Sequence, residues 1–436
     1  MHISIDISRY RNILYIRFCQ KSPSHRKFTV AHGRALNEKG RCMRSKPLVA
    51  GVGMIPFTKP GQSEDWDVMA EKAIRMALSD AGIGYDLVQA AYAGFMYADS
   101  TAGQSAFYRV GVTGIPIVNV NNNCATGSTA LYLARQIVEL GGADCAIAVG
   151  FEQMLPGALG WIFNDRKAVL EKHTEESQSI PGWDPNGPMA VQQFGGVGMD
   201  YQKRYGAKDE TFAQISVKAR RHAANNPLAL FRTPITLEEV MAAKQLFGPV
   251  TRLQACAPTC GAAAAVIVSP KFAAKHGLSA VVEIKAQAMT SDTDASFGTG
   301  SMIDAIGYGI SQSAADQVYE EAGLGPNDIQ VVELHDCFTP NELIMYEALR
   351  LCPEGQAERY IWDGDNSYGG KHVVNPSGGL LSKGHPLGAT GLAQCYELTQ
   401  QLRGNAEARQ VDGARHALQH NLGLGSAGVV TLYGRV

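Results

Sequence analysis

Residues 118–140, VNVNNNCATGSTALYLARQIVEL, join a strand-like run to a helix at a corner that carries a single cysteine. The β-branched start favours a strand, three asparagines are typical of a turn, and the apolar spacing after them predicts a helix. Cys124 therefore lies at a helix start, where backbone N–H groups lack intrahelical partners and the local potential is positive. We expect this corner to favour a reactive thiolate and to supply donors for an oxyanion, although a buried core cysteine is the alternative.

The chain around this corner alternates strands and helices from Pro47 onward. A strand–helix–strand rhythm predicts a mostly parallel sheet covered by helices, which is an α/β fold. Residues 155–245 break the rhythm because they are polar, interrupted by proline and glycine, and largely helical in pattern. We interpret them as an inserted loop domain or lid.

The second half of the chain repeats the first. DAGIGYDLVQAAYAG at 80–94 matches EAGLGPNDIQVVELH at 321–335, and CATGSTALYLARQI at 124–137 matches GATGLAQCYELTQQL at 388–402. Two matches in the same order predict an internal duplication of one α/β unit. The loops of the two halves would then face each other and could build a single site.

Two polar loops of the second half carry candidate chemistry. His335, Asp336 and Cys337 follow a predicted strand, where open α/β sheets bind ligands, and their imidazole and thiol could serve as hydrogen-bond donor and as acid or base. His385 lies in the glycine-rich loop 375–391 before a helix, and histidine is the usual base for a nucleophilic cysteine. The alternatives are a helix-capping turn for the first loop and a structural histidine for the second.

The last loop contains Gly423, Gly425 and Gly428 in a G-x-G-x-x-G pattern. We reject a dinucleotide site because a strand, and not a helix, follows these glycines. They are better explained as turns that direct a backbone N–H into a site. His420 and Asn421 lie beside them, and the sequence assigns no role to either.

The composition of the 436 residues is typical of a compact enzyme, with 45% hydrophobic and 18% charged residues. A formal net charge of −2 argues against nucleic acid as a partner, and no apolar run reaches the roughly 18 residues of a membrane span. The nine cysteines are scattered and odd in number, which indicates reduced thiols. Cys256 and Cys260 form a close pair without a matching second pair of ligands, so we expect no metal site.

The first 46 residues differ from the rest because they are rich in lysine and arginine, with Asp6 and Glu38 as their acids. This composition is typical of an organelle transit peptide. An ordered basic extension, or upstream sequence that is not native to the protein, is the alternative. The C-terminal residues YGRV are not a peroxisomal tripeptide.

Basic side chains also occur in the predicted lid. They could meet a phosphorylated ligand, or they could form a solvated helix face. We regard Arg220 and Arg221 as the candidates for cofactor binding. The full set is Lys203, Arg204, Lys218, Arg220, Arg221 and Arg232.

Four loops resemble those of the thiolase superfamily, and more narrowly those of the sterol-carrier-protein type thiolases. They are NNNCATGSTALYLARQ, HDCFTPNE, NPSGGLLSKGHPLGATG and QHNLGLG. The resemblance covers residues 47–436 and implies two duplicated five-layer α/β/α/β/α halves with an inserted loop domain. We therefore expect a basic extension at 1–46, an N-terminal half at 47–290 with the loop domain at about 155–245, and a C-terminal half at 291–436.

For the site, the resemblance implies that Cys124 is the nucleophile that becomes acylated. His385 would take its proton and help to hold the thioester oxyanion. His335 stands where most thiolases have an asparagine, and it would contribute to the same oxyanion hole.

The resemblance departs from ordinary thiolases near the C-terminus, where they carry a second cysteine and this chain reads NLGLGS. In the sterol-carrier-protein type, the cysteine of the HDCF motif is thought to act as acid and base, which is Cys337 here. The backbone of Gly425 or Gly423, together with the N–H of Cys124, would supply the second oxyanion hole.

The resemblance further implies CoA-dependent cleavage of 3-oxoacyl-CoA, with coenzyme A as a substrate and no permanently bound cofactor. The expected partners are acyl-CoA, CoA and further copies of the chain in a homodimer or homotetramer. We expect a mitochondrial or peroxisomal/glycosomal matrix location, with the cytoplasm as the alternative, and no fused lipid-transfer domain after Val436. A non-catalytic or complex-dependent acyl-CoA-binding protein, or a condensing enzyme, is the alternative function.

Overall fold

The structure is a computed structural model, and it describes residues 9–10, 13–14, 46–156, 165–167, 169–425 and 427–436. Near the N-terminus, strands β1 (Arg9–Tyr10) and β2 (Ile13–Leu14) pair antiparallel. The rest of the predicted basic extension, up to residue 45, lies outside the described residues. The chain from residue 45 onward forms one compact unit. None of the described helices is long and apolar enough to cross a membrane.

Strands and helices alternate along most of this unit, as predicted. The strands are β3 (Leu48–Met54), β4 (Ala90–Gly94), β5 (Ile117–Val120), β6 (Cys145–Glu152), β7 (Gln245–Phe247), β8 (Val250–Thr251), β9 (Gly261–Val268), β10 (Val282–Thr290), β11 (Val331–Glu333), β12 (Val373–Val374), β13 (His416–Gly423) and β14 (Ala427–Arg435). The α-helices are α1 (Trp66–Ala81), α2 (Ala102–Tyr108), α3 (Thr126–Glu139), α4 (Glu171–Ser177), α5 (Met189–Tyr205), α6 (Asp209–Ala223), α7 (Leu237–Met241), α8 (Pro270–His276), α9 (Met302–Ala305), α10 (Tyr308–Ala322), α11 (Thr339–Ala348), α12 (Ala357–Trp362), α13 (Gly379–Ser382) and α14 (Thr390–Arg403).

The central sheet has ten strands in the order β12–β11–β13–β14–β10–β3–β9–β6–β4–β5. Strands β3, β4, β5, β6 and β9 form one set of five, and strands β10 to β14 form the other. From the middle of the sheet outward, both sets have the same order: the first strand of the set, then its fifth, fourth, second and third strands. In each set the second strand is parallel to the third and fourth, while the fifth strand is antiparallel to the fourth and the first. This shared topology confirms the predicted duplication.

A short antiparallel contact between β3 and β10 joins the two halves into one sheet, with Val49 opposite Val282 and Leu48 opposite Glu283. The sequence did not predict this contact, because an apolar strand pattern does not reveal which strand edge of the other half it meets. The strand order groups β10 with the second half, whereas the sequence analysis placed the division after residue 290. The limits of the two halves stay a prediction.

Helices cover the sheet and also fill the space between its halves. Helix α1 packs on β3 and β9, α10 packs on β10 and β14, and α3 and α14 pack against each other between the two sets of strands. This layering agrees with the predicted α/β/α/β/α arrangement. Strand β9 is buried throughout, and its alternate residues belong to two hydrophobic cores. Ala264 and Val266 lie in the core on the side of α1, and Ala265 and Ile267 lie in the core on the side of α3 and α14.

The segment between β6 and β9 holds helices α4 to α7 and the paired strands β7 and β8. It matches the loop domain that the sequence analysis expected to be inserted there. Helices α5 and α6 pack on α11, and α6 also packs on α13. The inserted segment therefore lies against the loops of the second half that carry the candidate chemistry.

Candidate active site

The candidate site lies where the two equivalent helices α3 and α14 meet at their N-terminal ends. Both helices begin with Thr-Gly. A Cβ atom on Gly127 would lie 2.6 Å from a carbonyl oxygen before α14, and one on Gly391 would overlap the backbone of Ser128, so only glycine permits this approach. The duplication thereby brings the loop of Cys124 next to the loop of His385.

The run of asparagines holds the corner that carries Cys124. Asn123 has a positive φ of 50°, a left-handed conformation that asparagine tolerates better than most residues. The Thr126 hydroxyl accepts a hydrogen bond from the N–H of Asn122 over 2.9 Å and donates to the carbonyl of Asn123 over 2.6 Å. The Asn123 side chain also donates to the carbonyl of Leu424 over 3.0 Å, so the second half of the chain anchors the corner as well.

The thiol of Cys124 is protonated in the resting protein, although it is partly exposed. Burial raises the pKa of Cys124 to about 12, the backbone of Leu424 opposes that rise, and the nearby Glu152 adds to it. The expectation that the helix start alone would favour a thiolate is therefore wrong, because a helix start contributes only about 0.3–1 kcal/mol. The thiol needs a base before it can react.

Cys124 faces two histidines. Its Sγ and one ring nitrogen each of His335 and His385 lie within 4.8 Å of one another. The two imidazole rings meet edge to face, with centroids 5.1 Å apart and an interplanar angle of 85°. The structure thus brings together three residues that the sequence analysis took from three separate loops. The same donors could hold a soft metal ion, a possibility that the sequence analysis considered only at Cys256 and Cys260.

His385 is arranged as a base. Its Nδ1 lies 2.7 Å from Oγ1 of Thr390, and that hydroxyl donates its own proton to the carbonyl of Pro386 over 3.0 Å. The Thr390 oxygen must therefore accept from His385, which places the ring proton on Nδ1 and leaves a lone pair on Nε2. This Nε2 is buried and has no hydrogen-bond partner among the described residues. Burial lowers the pKa of His385 to about 3, so the imidazole is neutral.

His335 has the opposite tautomer. Its Nδ1 lies 2.9 Å from Nδ2 of Asn421, whose Oδ1 accepts a hydrogen bond from the Ser128 hydroxyl over 2.9 Å. Because the amide oxygen is engaged by Ser128, the Asn421 NH₂ group donates to Nδ1 and the ring proton lies on Nε2. Burial, followed by His385 and His420, holds the pKa of His335 well below its usual range. A neutral N–H donor of this kind suits an oxyanion.

Cys337 supplies a second thiol in the same surroundings. It follows β11 and is 4% exposed. Burial, and then the thiols of Cys256 and Cys124, raise the pKa of Cys337 well above its usual value. Cys124 is therefore near enough to Cys337 to contribute to the raised pKa of Cys337. The raised pKa keeps the thiol protonated near neutral pH, so Cys337 can give its proton to a carbanion that is far more basic than a thiolate.

The two glycines predicted to support an oxyanion differ in their surroundings. Gly423, at the end of β13, lies so close to the nucleophile's corner that a Cβ atom there would overlap the carbonyl of Asn122. Gly425 turns with a φ of 92° and lies next to Leu170 instead. The geometry favours Gly423 of the two, and its role in catalysis stays a prediction.

The basic residues of the inserted segment are mostly engaged with the protein. Lys218 is buried and pairs with a glutamate of α11, so the prediction that it could meet a phosphorylated ligand is wrong. The Arg220 guanidinium lies 4.4 Å from the centroid of the Phe231 ring, and Arg221 donates to the Ser367 hydroxyl over 2.9 Å. CoA binding by these two arginines stays a prediction.

Thr390 was not predicted as a site residue, although the internal repeat contains a signal for it. Thr126 and Thr390 occupy equivalent positions in the two matched segments, each at the first residue of its helix. Each hydroxyl accepts a hydrogen bond from the loop in front of the helix and returns one to a carbonyl there. Thr126 binds the loop of Cys124, so the repeat predicts that its counterpart Thr390 binds the loop of His385.

Glu152, the last residue of β6, was not predicted as a site residue either. Its buried carboxylate accepts hydrogen bonds from the N–H groups of Met96, Tyr97 and Gly388, over 3.1, 2.8 and 3.0 Å. Burial raises the pKa of Glu152 to about 7. This side chain ties the first half to the loop of His385, and no local sequence pattern marks it.

Comparisons with known proteins identify the family of the chain. The thiolase N-terminal domain matches residues 48–239, and the thiolase C-terminal domain-like model matches residues 298–435. Human sterol carrier protein 2 is 53% identical over 390 residues, which span 88% of this chain and 71% of the human protein. The chain belongs to the thiolase family. The resemblance found in its loops is thereby confirmed, and members of the thiolase family are acyltransferases with CoA as a substrate.

Solved structures also resemble this thiolase. An Ltp2–ChsH2(DUF35) aldolase has a TM-score of 0.75 and 25% identity, covering 90% of this chain and 98% of that one. Human mitochondrial 3-ketoacyl-CoA thiolase in complex with CoA has a TM-score of 0.67 and 18% identity, covering 90% and 98%. The second similarity concerns the fold alone, and together they confirm the predicted thiolase fold.

Proposed function

We propose that this thiolase cleaves a 3-oxoacyl-CoA with free CoA, giving acetyl-CoA or propionyl-CoA and a shortened acyl-CoA. The observation that supports this most is the grouping of one thiol with two neutral imidazoles of opposite tautomer. His385 presents a lone pair that can take the proton of Cys124, and His335 presents an N–H that can hold an oxyanion. Acyl transfer through a cysteine needs both functions at one sulfur.

In the first half-reaction, His385 takes the proton of Cys124 and the sulfur attacks the 3-oxo carbon of the substrate. The oxygen becomes an oxyanion, which the N–H of Cys124 and the backbone at Gly423 would hold. When the oxyanion collapses, the bond between C2 and C3 breaks and its electron pair leaves on C2 of acetyl-CoA. The thioester oxygen of acetyl-CoA shares this negative charge, and the N–H of His335 would hold that oxygen. Cys337 protonates that carbon, and the acyl group remains on Cys124 as a thioester.

In the second half-reaction, the Cys337 thiolate takes the proton of an incoming CoA thiol. The CoA sulfur attacks the acyl carbon of Cys124, and the N–H of Cys124 and the backbone at Gly423 would again hold the oxyanion that forms on the same oxygen. The Cys124 sulfur then leaves and recovers its proton from His385. The raised pKa of Cys337 makes its thiolate a strong base, so the group that acts as acid in the first half can act as base in the second.

The decisive experiment is thiolysis of acetoacetyl-CoA with CoA, combined with intact-mass analysis for an acetyl group on Cys124. We expect turnover and the adduct in the native chain, and the loss of both in Cys124→Ala. Cys145→Ala, which removes a buried thiol from β6, is the matched control and should keep both. A native chain that binds acetoacetyl-CoA but forms neither the adduct nor product would overturn the proposal.

Substrate class can be tested in the same assay with short, long and 2-methyl-branched 3-oxoacyl-CoAs. The groups assigned above act on the 3-oxo thioester unit that these substrates share, so they do not select a chain length. Release of propionyl-CoA from a 2-methyl substrate would extend the proposed reaction to branched chains. The same groups also serve the reverse condensation, and the physiological direction depends on metabolite concentrations.

A second candidate is a thiolase-like protein that acts only within a complex. It is favoured by the likeness to the Ltp2–ChsH2(DUF35) aldolase, whose name joins two components. In that case the purified chain would bind acyl-CoA without turnover, and activity would appear when a partner is added. Activity of the purified chain alone would exclude it.

We also propose that the chain forms a homodimer or homotetramer. Strand β5 lies at one end of the described sheet, and Val118 on it is 43% exposed, so an unpaired strand edge is available to another copy. Light scattering after size-exclusion chromatography would decide the number of copies. The organelle location proposed from the basic extension needs a separate test by fusing residues 1–46 to a fluorescent protein.

A further inference from the structure

Cys256 and Cys337 lie directly opposite each other on two antiparallel segments. The N–H of Cys256 donates to the carbonyl of Cys337 over 2.8 Å. Their neighbours Ala255 and Phe338 form an antiparallel bridge, and in that register the next opposed pair is Cys256 and Cys337. Side chains of opposed residues project on the same face, with Cβ atoms roughly 4.5–5.5 Å apart.

The surroundings of the two thiols also bring them together. Both cysteines are reduced, Cys337 is buried, and Cys256 is partly exposed. Cys256 packs against the apolar cluster that contains Cys337. Among the neighbouring side chains whose negative charge raises the pKa of Cys337, Cys256 has the largest effect. The pair is thus a close dithiol with one partly exposed member.

We propose that Cys256 and Cys337 are a redox modification site, in which the two thiols close to a disulfide under a two-electron oxidant such as hydrogen peroxide. A hydrogen-bonded antiparallel pair has its Cα atoms about 5.5 Å apart, within the 4.4–6.8 Å that a disulfide requires. The Cα spacing thus suits a disulfide, and closing the bond requires the two Cβ atoms to approach to about 3.5–4.5 Å. A thiol reductant would reopen it.

The chemistry proceeds in two steps. Cys256 is the more exposed thiol, so its sulfur meets the peroxide first and takes one oxygen as the O–O bond breaks, which gives a sulfenic acid and water. The sulfur of Cys337 then attacks the sulfur of Cys256, the S–O bond breaks, and the hydroxyl leaves with the Cys337 proton as a second water. Two thiols and one peroxide thereby become one disulfide and two waters.

The consequence for activity rests on the proposed function. Cys337 is the proton donor of that reaction, and in the disulfide it has no proton to give. Cys124 and the two histidines are not consumed by this bond. The oxidised protein should therefore lose thiolysis while Cys124 remains open to alkylation.

The test treats the full chain with hydrogen peroxide, blocks remaining thiols with iodoacetamide, and maps the cysteines by mass spectrometry. We expect a linked peptide containing Cys256 and Cys337, alkylated Cys124, and reversal by dithiothreitol of both the link and the loss of thiolysis. A link that involves Cys124, or sulfinic acids at 256 and 337 without a link, would overturn the proposal. Mapping does not depend on turnover, so a chain without thiolase activity would leave this test intact.

Two variants sharpen the result. Cys256→Ala removes one thiol of the pair, so the disulfide should not form. Peroxide should then cause no inactivation of thiolysis that dithiothreitol can reverse. Cys260→Ala removes a thiol four residues further along the same segment, and it should form the link as the native chain does. Equal reversible inactivation of the native chain and Cys256→Ala would assign the oxidation to another cysteine.

Discussion

Nδ1 of His385 donates a hydrogen bond to Oγ1 of Thr390 across 2.7 Å, and this contact determines which nitrogen faces the nucleophile. The threonine hydroxyl is held as an acceptor because it donates to the carbonyl of Pro386. The lone pair on Nε2 therefore follows from a residue that does not touch the substrate. Thr390 is a positioning residue, and it acts through the tautomer of His385.

Replacing Thr390 by valine should lower kcat by roughly tenfold to a hundredfold with little change in KM. The loss of a buried hydrogen bond worth about 1–3 kcal/mol leaves the tautomer of His385 unspecified, and each 1.4 kcal/mol corresponds to about tenfold in rate. Thr390→Ser keeps the hydroxyl and should restore most of the rate. Steady-state kinetics of thiolysis provides the measurement, and equal rates for the serine and valine variants would contradict the assignment.

Replacing Asn421 by leucine should separate turnover from the reactivity of the nucleophile. The variant removes the donor to Nδ1 of His335, so the proton is no longer confined to the Nε2 that faces the oxyanion. We expect kcat to fall by roughly tenfold to a hundredfold. Alkylation of Cys124 by iodoacetamide depends on His385 and should keep its native rate. A parallel fall in both rates would show that Asn421 serves the structure of the whole site.

These two partners show where prediction from the sequence ended. Cys124, His335 and His385 could be found because each lies in a loop with unusual residues, and the repeat predicted that the loops meet. The tautomers could not be predicted, because they depend on the orientation of the Asn421 amide and the Thr390 hydroxyl. Such orientations come from hydrogen bonds between residues far apart in the chain, which a local pattern does not record.

The protonation of Cys124 was mispredicted for a related reason. A helix start and its effect on a thiol can be read from the sequence, but burial depends on what the other half of the chain places over the corner. In the structure, burial is the largest influence on the pKa of Cys124 and raises it. The fold itself was predictable, because strand–helix alternation and the repeat survive in the sequence, whereas the single contact between β3 and β10 has no such pattern.

Glu152 should make the reactivity of Cys124 depend on pH. Burial raises the pKa of Glu152 to about 7, so its carboxyl is neutral at lower pH and ionised at higher pH. The ionised form raises the pKa of Cys124 and thus opposes thiolate formation. In Glu152→Gln this opposition is absent, so Cys124 should be alkylated faster than in the native chain above about pH 7 and at a similar rate below it.

The measurement for Glu152 is the rate of iodoacetamide alkylation of Cys124 across this pH range. Glu347→Gln removes another buried carboxyl, one that belongs to α11 and bonds to Tyr201, and it should leave the pH profile unchanged. The amide of Glu152→Gln has one acceptor oxygen where the carboxylate has two, so the hold on Gly388 is weaker. A uniform slowing at every pH would therefore indicate that this hold, and not the charge, is the contribution of Glu152.

Removing the thiol of Cys337 should stop cleavage of the carbon–carbon bond while Cys124 stays reactive. In Cys337→Ala no acid remains to protonate the departing C2 carbanion, and general acid–base groups contribute about a hundredfold to ten-thousandfold, so thiolysis should fall by that range. Alkylation of Cys124 by iodoacetamide should persist, because His385 and its bond to Thr390 are untouched. Cys352→Ala deletes a buried thiol from the same apolar cluster and should keep nearly native thiolysis. If Cys337→Ala retained native turnover, the proton would have to come from another group, and the partly exposed thiol of Cys256 would be the first to test.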